Sequence, residues 1–110
     1  MNGKIFVAAL AMTAALFAPA LAQESGYAFK VKNASGGTAG VTVDGRSACS
    51  LAADATCTVT IKDADQHAYA FSLAGGTPVS FQPGNLEMVD LCKIDAKGAH
   101  CIDTTGAATN

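Results

Sequence analysis

From Tyr27 onward, apolar and polar residues alternate in short runs separated by glycine, aspartate and proline. A two-residue period belongs to half-buried strands rather than helices. Tyr27–Lys32 puts Tyr27, Phe29 and Val31 on one face, with Ala28, Lys30 and Lys32 on the other. Asn33–Gly37 (NASGG) is turn-rich and ends that strand. Asn33-Ala34-Ser35 also matches an N-glycosylation sequon, but turn chemistry accounts for it.

Ala39–Val43 forms a second strand with Val41 and Val43 on one side, and Asp44-Gly45 signals a hairpin. Face parity then selects the loop. A two-residue loop pairs Val43 with Arg46 and Val41 with Ala48, sending Cys49 and Leu51 to the opposite face. A three-residue loop, Val43-Asp44-Gly45, pairs Val41 with Ser47 and Ala39 with Cys49, which gathers Val41, Cys49 and Leu51. The second arrangement, a type I turn with a bulge, is the expectation. After the loop Ala52–Thr56, Cys57–Ile61 alternates most cleanly, with Cys57, Val59 and Ile61 inward and Thr58 and Thr60 outward. A hairpin centred on Ala53 sets Cys49 directly opposite Cys57, within disulfide reach.

Lys62–Gln66 is a charged turn. Asp63 and Asp65 open like a calcium loop, but His67 and Ala68 stand where an acidic ligand and the glycine belong. His67–Leu73 turns Tyr69, Phe71 and Leu73 inward before Gly75-Gly76 stops it. Thr77–Gln82, bracketed by Pro78 and Pro83, reads as an edge strand around Val79 and Phe81. Leu86–Ile94 changes parity at Met88-Val89, so a bulged strand is expected there. Asp95–Gly98 suits a type I turn that sets Ile94 against Ala99 and Cys92 against Cys101. Thr104–Asn110 is small and polar and reads as a flexible C-terminal tail. The fold class is therefore all-β: a small antiparallel β-sandwich of about seven or eight short strands, occupying residues 23–103.

The first 22 residues follow another pattern. Ile5–Ala18 is a 14-residue apolar run behind the single charge of Lys4, too short for a comfortable membrane span but suited to a signal peptide. Pro19 breaks it, and Ala20-Leu21-Ala22 supplies a small-residue cleavage site before Gln23. The reading is a signal peptide over 1–22, cut between Ala22 and Gln23, with a bacterial periplasmic or secreted destination. Losing Lys4 leaves six basic residues against nine acidic ones, a net charge of −3. That balance argues against a nucleic-acid partner and an anionic membrane surface. No later apolar stretch is long enough to span a bilayer.

Four cysteines follow the leader: Cys49, Cys57, Cys92 and Cys101. An even number in an exported chain implies two disulfides. Local pairing, Cys49–Cys57 and Cys92–Cys101, is preferred; the other two connectivities would join strands distant in sequence. Zinc fails on spacing, because neither pair is a Cys-x-x-Cys knuckle and His67 and His100 form no finger pattern.

Val41-Thr42-Val43-Asp44-Gly45-Arg46, then Leu51, Val59 and Ile61, and His67 before an aromatic strand, resemble PEGA-type domains over residues 40–73. The resemblance implies a small extracytoplasmic β module in a surface or adhesive context, with no catalytic residues to carry over. The chain departs from that pattern at Asp65, where a glycine precedes the histidine, and in the additional Cys49 and Cys57.

Candidate chemistry is sparse. Cys101 neighbours His100, but adjacent strand residues point to opposite faces, so the two do not form a nucleophile–base pair. No serine stands in a nucleophile-elbow context, and most aspartates sit at turns, where they cap backbone groups. No catalytic residue, cofactor or metal ligand is assigned. The reading is a non-catalytic exported structural or interaction module of the bacterial envelope, with a protein or envelope partner. Strands around Val79–Phe81 or Tyr27–Val31 are the edges that would accept a partner strand. The alternatives are a periplasmic metal-binding protein using His67 and His100, with Met88 and Asp65 as further donors, or a small secreted enzyme or inhibitor.

Overall fold

The computed structural model describes residues 26–110; the expected signal peptide and its Ala22–Gln23 cut lie outside the described residues. Eight strands follow in chain order: β1 Tyr27–Asn33, β2 Ala39–Val43, β3 Arg46–Leu51, β4 Thr56–Ile61, β5 Tyr69–Leu73, β6 Val79–Phe81, β7 Val89–Asp95 and β8 Gly98–Asp103. They form two four-stranded sheets, ordered β4-β1-β7-β8 and β3-β2-β5-β6. Pairing is antiparallel except where β1 runs parallel to β7.

Strand alternation produces the core. Phe29, Val31, Val59, Ile61 and Ile94 face inward from the first sheet, and Val41, Leu51, Tyr69, Phe71 and Phe81 from the second. The Phe29 and Tyr69 rings meet edge-on between the sheets, with centroids 6.1 Å apart, and Phe81 packs against Tyr69 and Phe71. Such edge contacts suit the ring quadrupole and add to simple area burial.

Both disulfides join the cysteines expected, but only one does so in the expected manner. Cys92 faces Cys101 across β7 and β8 with Cα atoms 4.0 Å apart. Cys49 and Cys57 do not face each other within a hairpin. β3 and β4 are edge strands of different sheets, so their disulfide, with Cα atoms 6.5 Å apart, staples one sheet to the other. The chain crosses between sheets at residues 52–55 instead of turning back on β3.

The β2–β3 loop also differs. Asp44 and Gly45 have φ of 53° and 80°, and Val43 pairs with Arg46, which makes a two-residue loop with both central residues left-handed. The register then shifts between Val41 and Thr42, leaving Ala48 unpaired and Val41 opposite Cys49. A bulge at Ala48, not a longer loop, brings Val41, Cys49 and Leu51 to one face. A similar displacement occurs in β7, which begins at Val89 and is irregular between Val89 and Leu91. Leu86–Met88 instead lies in a turn, where the Met88 and Val89 amides both donate to Asn85 O.

β6 is an edge strand as expected, but β1 lies inside its sheet between β4 and β7. It offers no free edge to a partner. The C-terminal segment expected to fray is hydrogen-bonded into the fold. Thr109 donates its amide to Cys101 O (2.9 Å) and its hydroxyl to Pro83 O (2.8 Å). The Asn110 side chain imitates a strand backbone: its Oδ1 accepts from Cys101 N at 3.1 Å and its Nδ2 donates to Ala99 O at 3.0 Å. Gly84, at φ +91°, passes so close to the Thr109 backbone that no side chain fits.

Asn33 is fully buried. Its Nδ2 donates to Gly37 O (2.6 Å) and Ala52 O (2.9 Å), and its Oδ1 accepts from the Ser35 amide and hydroxyl. Its backbone binds the amide of Asp54 and the carbonyl of Ala55. One side chain therefore ties the β1–β2 turn to the β3–β4 crossover. The sequon is closed in the folded protein.

Candidate functional site

Pairing of β2 with β5 places Val43 against Tyr69, so the residues just beyond, Asp44 and Ala68, also meet. The Asp44 amide donates to Ala68 O (2.7 Å), and the Ala68 amide donates to Asp44 Oδ1 (2.8 Å). The other Asp44 oxygen lies 2.7 Å from His67 Nδ1. On the far side of the ring, Nε2 lies 2.9 Å from Asp63 Oδ1, which also accepts the Asp65 amide at 3.1 Å. His67 thus sits between two carboxylates carried by different turns.

This geometry favours the doubly protonated ring, which donates from both nitrogens. Hydrogen bonds to Asp44 first and Asp63 second raise the His67 pKa above its ordinary 6.5. Asp44 is held below the usual carboxylate value, chiefly by the Ala68 amide and then by His67. Asp63 is lowered by His67 first and the Asp65 amide second. Burial raises the Tyr69 phenol, with the charges of Asp44 and Asp63 adding to the effect.

Beside this cluster lies an open concavity of about 450 Å³, walled by Tyr27, His67, Tyr69, Gln82, Leu86 and Glu87. Aromatic faces, amides and carboxylates line it, and its described lining contains no serine, threonine, cysteine or lysine. It can hydrogen-bond and stack against a ligand. Its described lining offers no serine, threonine or cysteine for His67 to activate, and a ring already bonded at both nitrogens is poorly placed to accept a further proton.

No family model, curated protein or solved structure matches this chain.

The remaining sequence candidates lie apart. His100 is exposed on the outer face of β8, with Asp95 at 3.9 Å as its carboxylate neighbour. His67 is engaged by Asp44 and Asp63, so the two histidines do not share a site. Met88 is exposed in the turn before β7. Among the described residues, no group of three or more His, Cys, Asp or Glu side chains is arranged to hold a metal ion. The four cysteines are all in disulfides, which suits an oxidising, extracytoplasmic environment. Sequence reasoning missed Asp44 and Asp63 as the partners of His67. The Asp44 contact spans 23 residues and depends on the β2–β5 pairing, which no local spacing reveals.

Proposed function

We propose that the protein is a non-catalytic interaction module of the bacterial envelope, exported to the periplasm or the exterior. The observation that carries this reading is that its reactive side chains are committed to structure. All four cysteines are disulfide-bonded, and His67 is bound at both ring nitrogens. The concavity beside His67 supplies aromatic and amide groups suited to recognition rather than bond cleavage. The leader-like 1–22 segment and the resemblance of residues 40–73 to PEGA-type modules support the same setting.

The test is a pull-down from envelope extract with the disulfide-intact protein as bait, run beside a hydrolase screen. The proposal expects a reproducible envelope component and no turnover. Nothing retained, together with hydrolase activity, would contradict it.

A further inference from the structure

The fold concentrates positive charge that the overall composition conceals. The register places Thr56 beside Lys32, Lys32 beside Lys93, and Lys93 beside His100, one residue from each of β4, β1, β7 and β8. Cross-strand partners share a face, so the four side chains form one row across the outside of the sheet. The adjacent row is Thr58, Lys30, Leu91 and Ile102. Lys30 has Asp90 at 3.6 Å, and His100 has Asp95 at 3.9 Å. Among the described residues, no carboxylate lies within salt-bridge distance of Lys32 or Lys93. Like charges directly opposite one another destabilise a sheet, so nothing in the fold itself explains this pair.

We propose that this face binds a linear polysaccharide bearing carboxylates, laid across the strands along the Thr56–Lys32–Lys93–His100 row. The inference rests on the interaction-module reading and names its ligand class. Strands stand about 4.8 Å apart, close to the length of one pyranose unit, so carboxylates of a uronate chain can reach Lys32 and Lys93 on the neighbouring strands β1 and β7. Thr56 and Thr58 are exposed and offer hydroxyls to sugar oxygens. Leu91 and Ile102 are half-buried beside the row and give a flat apolar strip for a ring face. They do not project as membrane anchors would. No aromatic residue stands in either row, so the face lacks the stacking platform that single-stranded nucleic acid uses. The excess of acidic residues elsewhere opposes a broad anionic surface more than a narrow chain confined to the row, because screening limits each charge to about 8 Å.

The test is calorimetric titration of the disulfide-bonded protein with polygalacturonate at physiological ionic strength. Neutral dextran, phosphatidylglycerol vesicles and a single-stranded DNA oligonucleotide are titrated in parallel. Binding should be seen with polygalacturonate and not with dextran. The Lys32→Gln/Lys93→Gln double variant should lose about tenfold in affinity, and Lys93→Gln alone about threefold, as expected of exposed charge pairs. Arg46→Gln, in the other sheet, should bind as the unmodified protein does. Both lysine variants should melt no lower than the parent, which separates lost contacts from lost folding. The proposal is overturned by no binding to polygalacturonate, by equal affinity in the lysine variants, by equal binding of dextran, or by tighter binding of vesicles or DNA. An envelope component captured in the pull-down alongside a negative polygalacturonate titration would remove the glycan and leave the interaction module standing.

Discussion

The outer faces of the two sheets are built from opposite kinds of residue. The β4-β1-β7-β8 sheet presents Lys30, Lys32, Lys93 and His100 with threonines, and Asp90 and Asp95 stand beside Lys30 and His100. The β3-β2-β5-β6 sheet presents Gly40, Thr42, Ser50, Ala70, Ser72 and Ser80, a neutral surface of small side chains. Their inner faces are alike, because both must exclude water from one core. Outer faces carry no such requirement, so they are free to diverge, and the proposed glycan row lies on the one that carries charge. The sheets also differ covalently. The cationic sheet contains a disulfide of its own, whereas the neutral sheet is held only through Cys49, bonded across to Cys57.

The largest test of that contrast is removal of each disulfide. Both close loops of similar length, with sequence separations of 8 and 9, so chain entropy assigns each about 2.5 kcal/mol. Burial then separates them. Cys92 and Cys101 are 0 % and 1 % exposed, while Cys49 is 9 % exposed and Cys57 only partly buried. The Cys92→Ala/Cys101→Ala variant should therefore lose about 3–4 kcal/mol in urea unfolding, the excess coming from the cavity left behind. Cys49→Ala/Cys57→Ala should lose about 2.5 kcal/mol, with faster hydrogen exchange concentrated in β3 and β4. A larger loss from the intersheet pair would contradict this ranking by burial.

Asn33→Ala comes next. It strips the side chain that knits the sheets near the Cys49–Cys57 end, leaving the carbonyls of Gly37 and Ala52 without that donor. A loss of about 2 kcal/mol is expected from the same urea measurement.

The His67 clamp sits where the chain passes from β4 of one sheet to β5 of the other, and it should give the fold a pH dependence. The folded pKa of His67 is above 6.5, so its contribution is complete below pH 6.5 and lost as pH rises through the folded value. Asp44 and Asp63 have folded pKa values below 3.8, so theirs is complete above pH 3.8 and lost as pH falls through those values. Thermal melts should show a plateau between these limits and a decline on the alkaline side. His67→Gln should flatten that decline; an unchanged profile would show that the clamp is not its cause. The smallest effect belongs to the cationic sheet. Lys93→Thr relieves the like-charge contact with Lys32 and should gain about 0.3–0.5 kcal/mol in the same urea assay.

Much of this molecule was legible in the sequence, because alternation reports which face a residue takes. It gave Phe29, Val31, Val59, Ile61 and Phe71 as core and identified the cysteine partners. Alternation does not report which strand lies alongside. β3 and β4 therefore looked like a hairpin, although the crossover at 52–55 sends them to different sheets. The Ala48 bulge was hidden because an unbroken register made a longer loop the only way to gather Val41 with Cys49. The C-terminal segment carried no apolar signal, since backbone groups and the Asn110 amide hold it. The cationic row was invisible for a related reason. Lys32 and Lys93 are remote in sequence and meet only through the parallel β1–β7 pairing.

The glycan row is most directly probed by an NMR titration of the isotope-labelled, disulfide-bonded protein with polygalacturonate, reading every backbone amide. Shifts are expected only on the outer face of the β4-β1-β7-β8 sheet, centred on Lys32, Lys93 and His100 and extending to Thr56. Shifts centred on the Tyr27–His67 concavity or on the neutral face, or no shifts at all, would contradict that assignment.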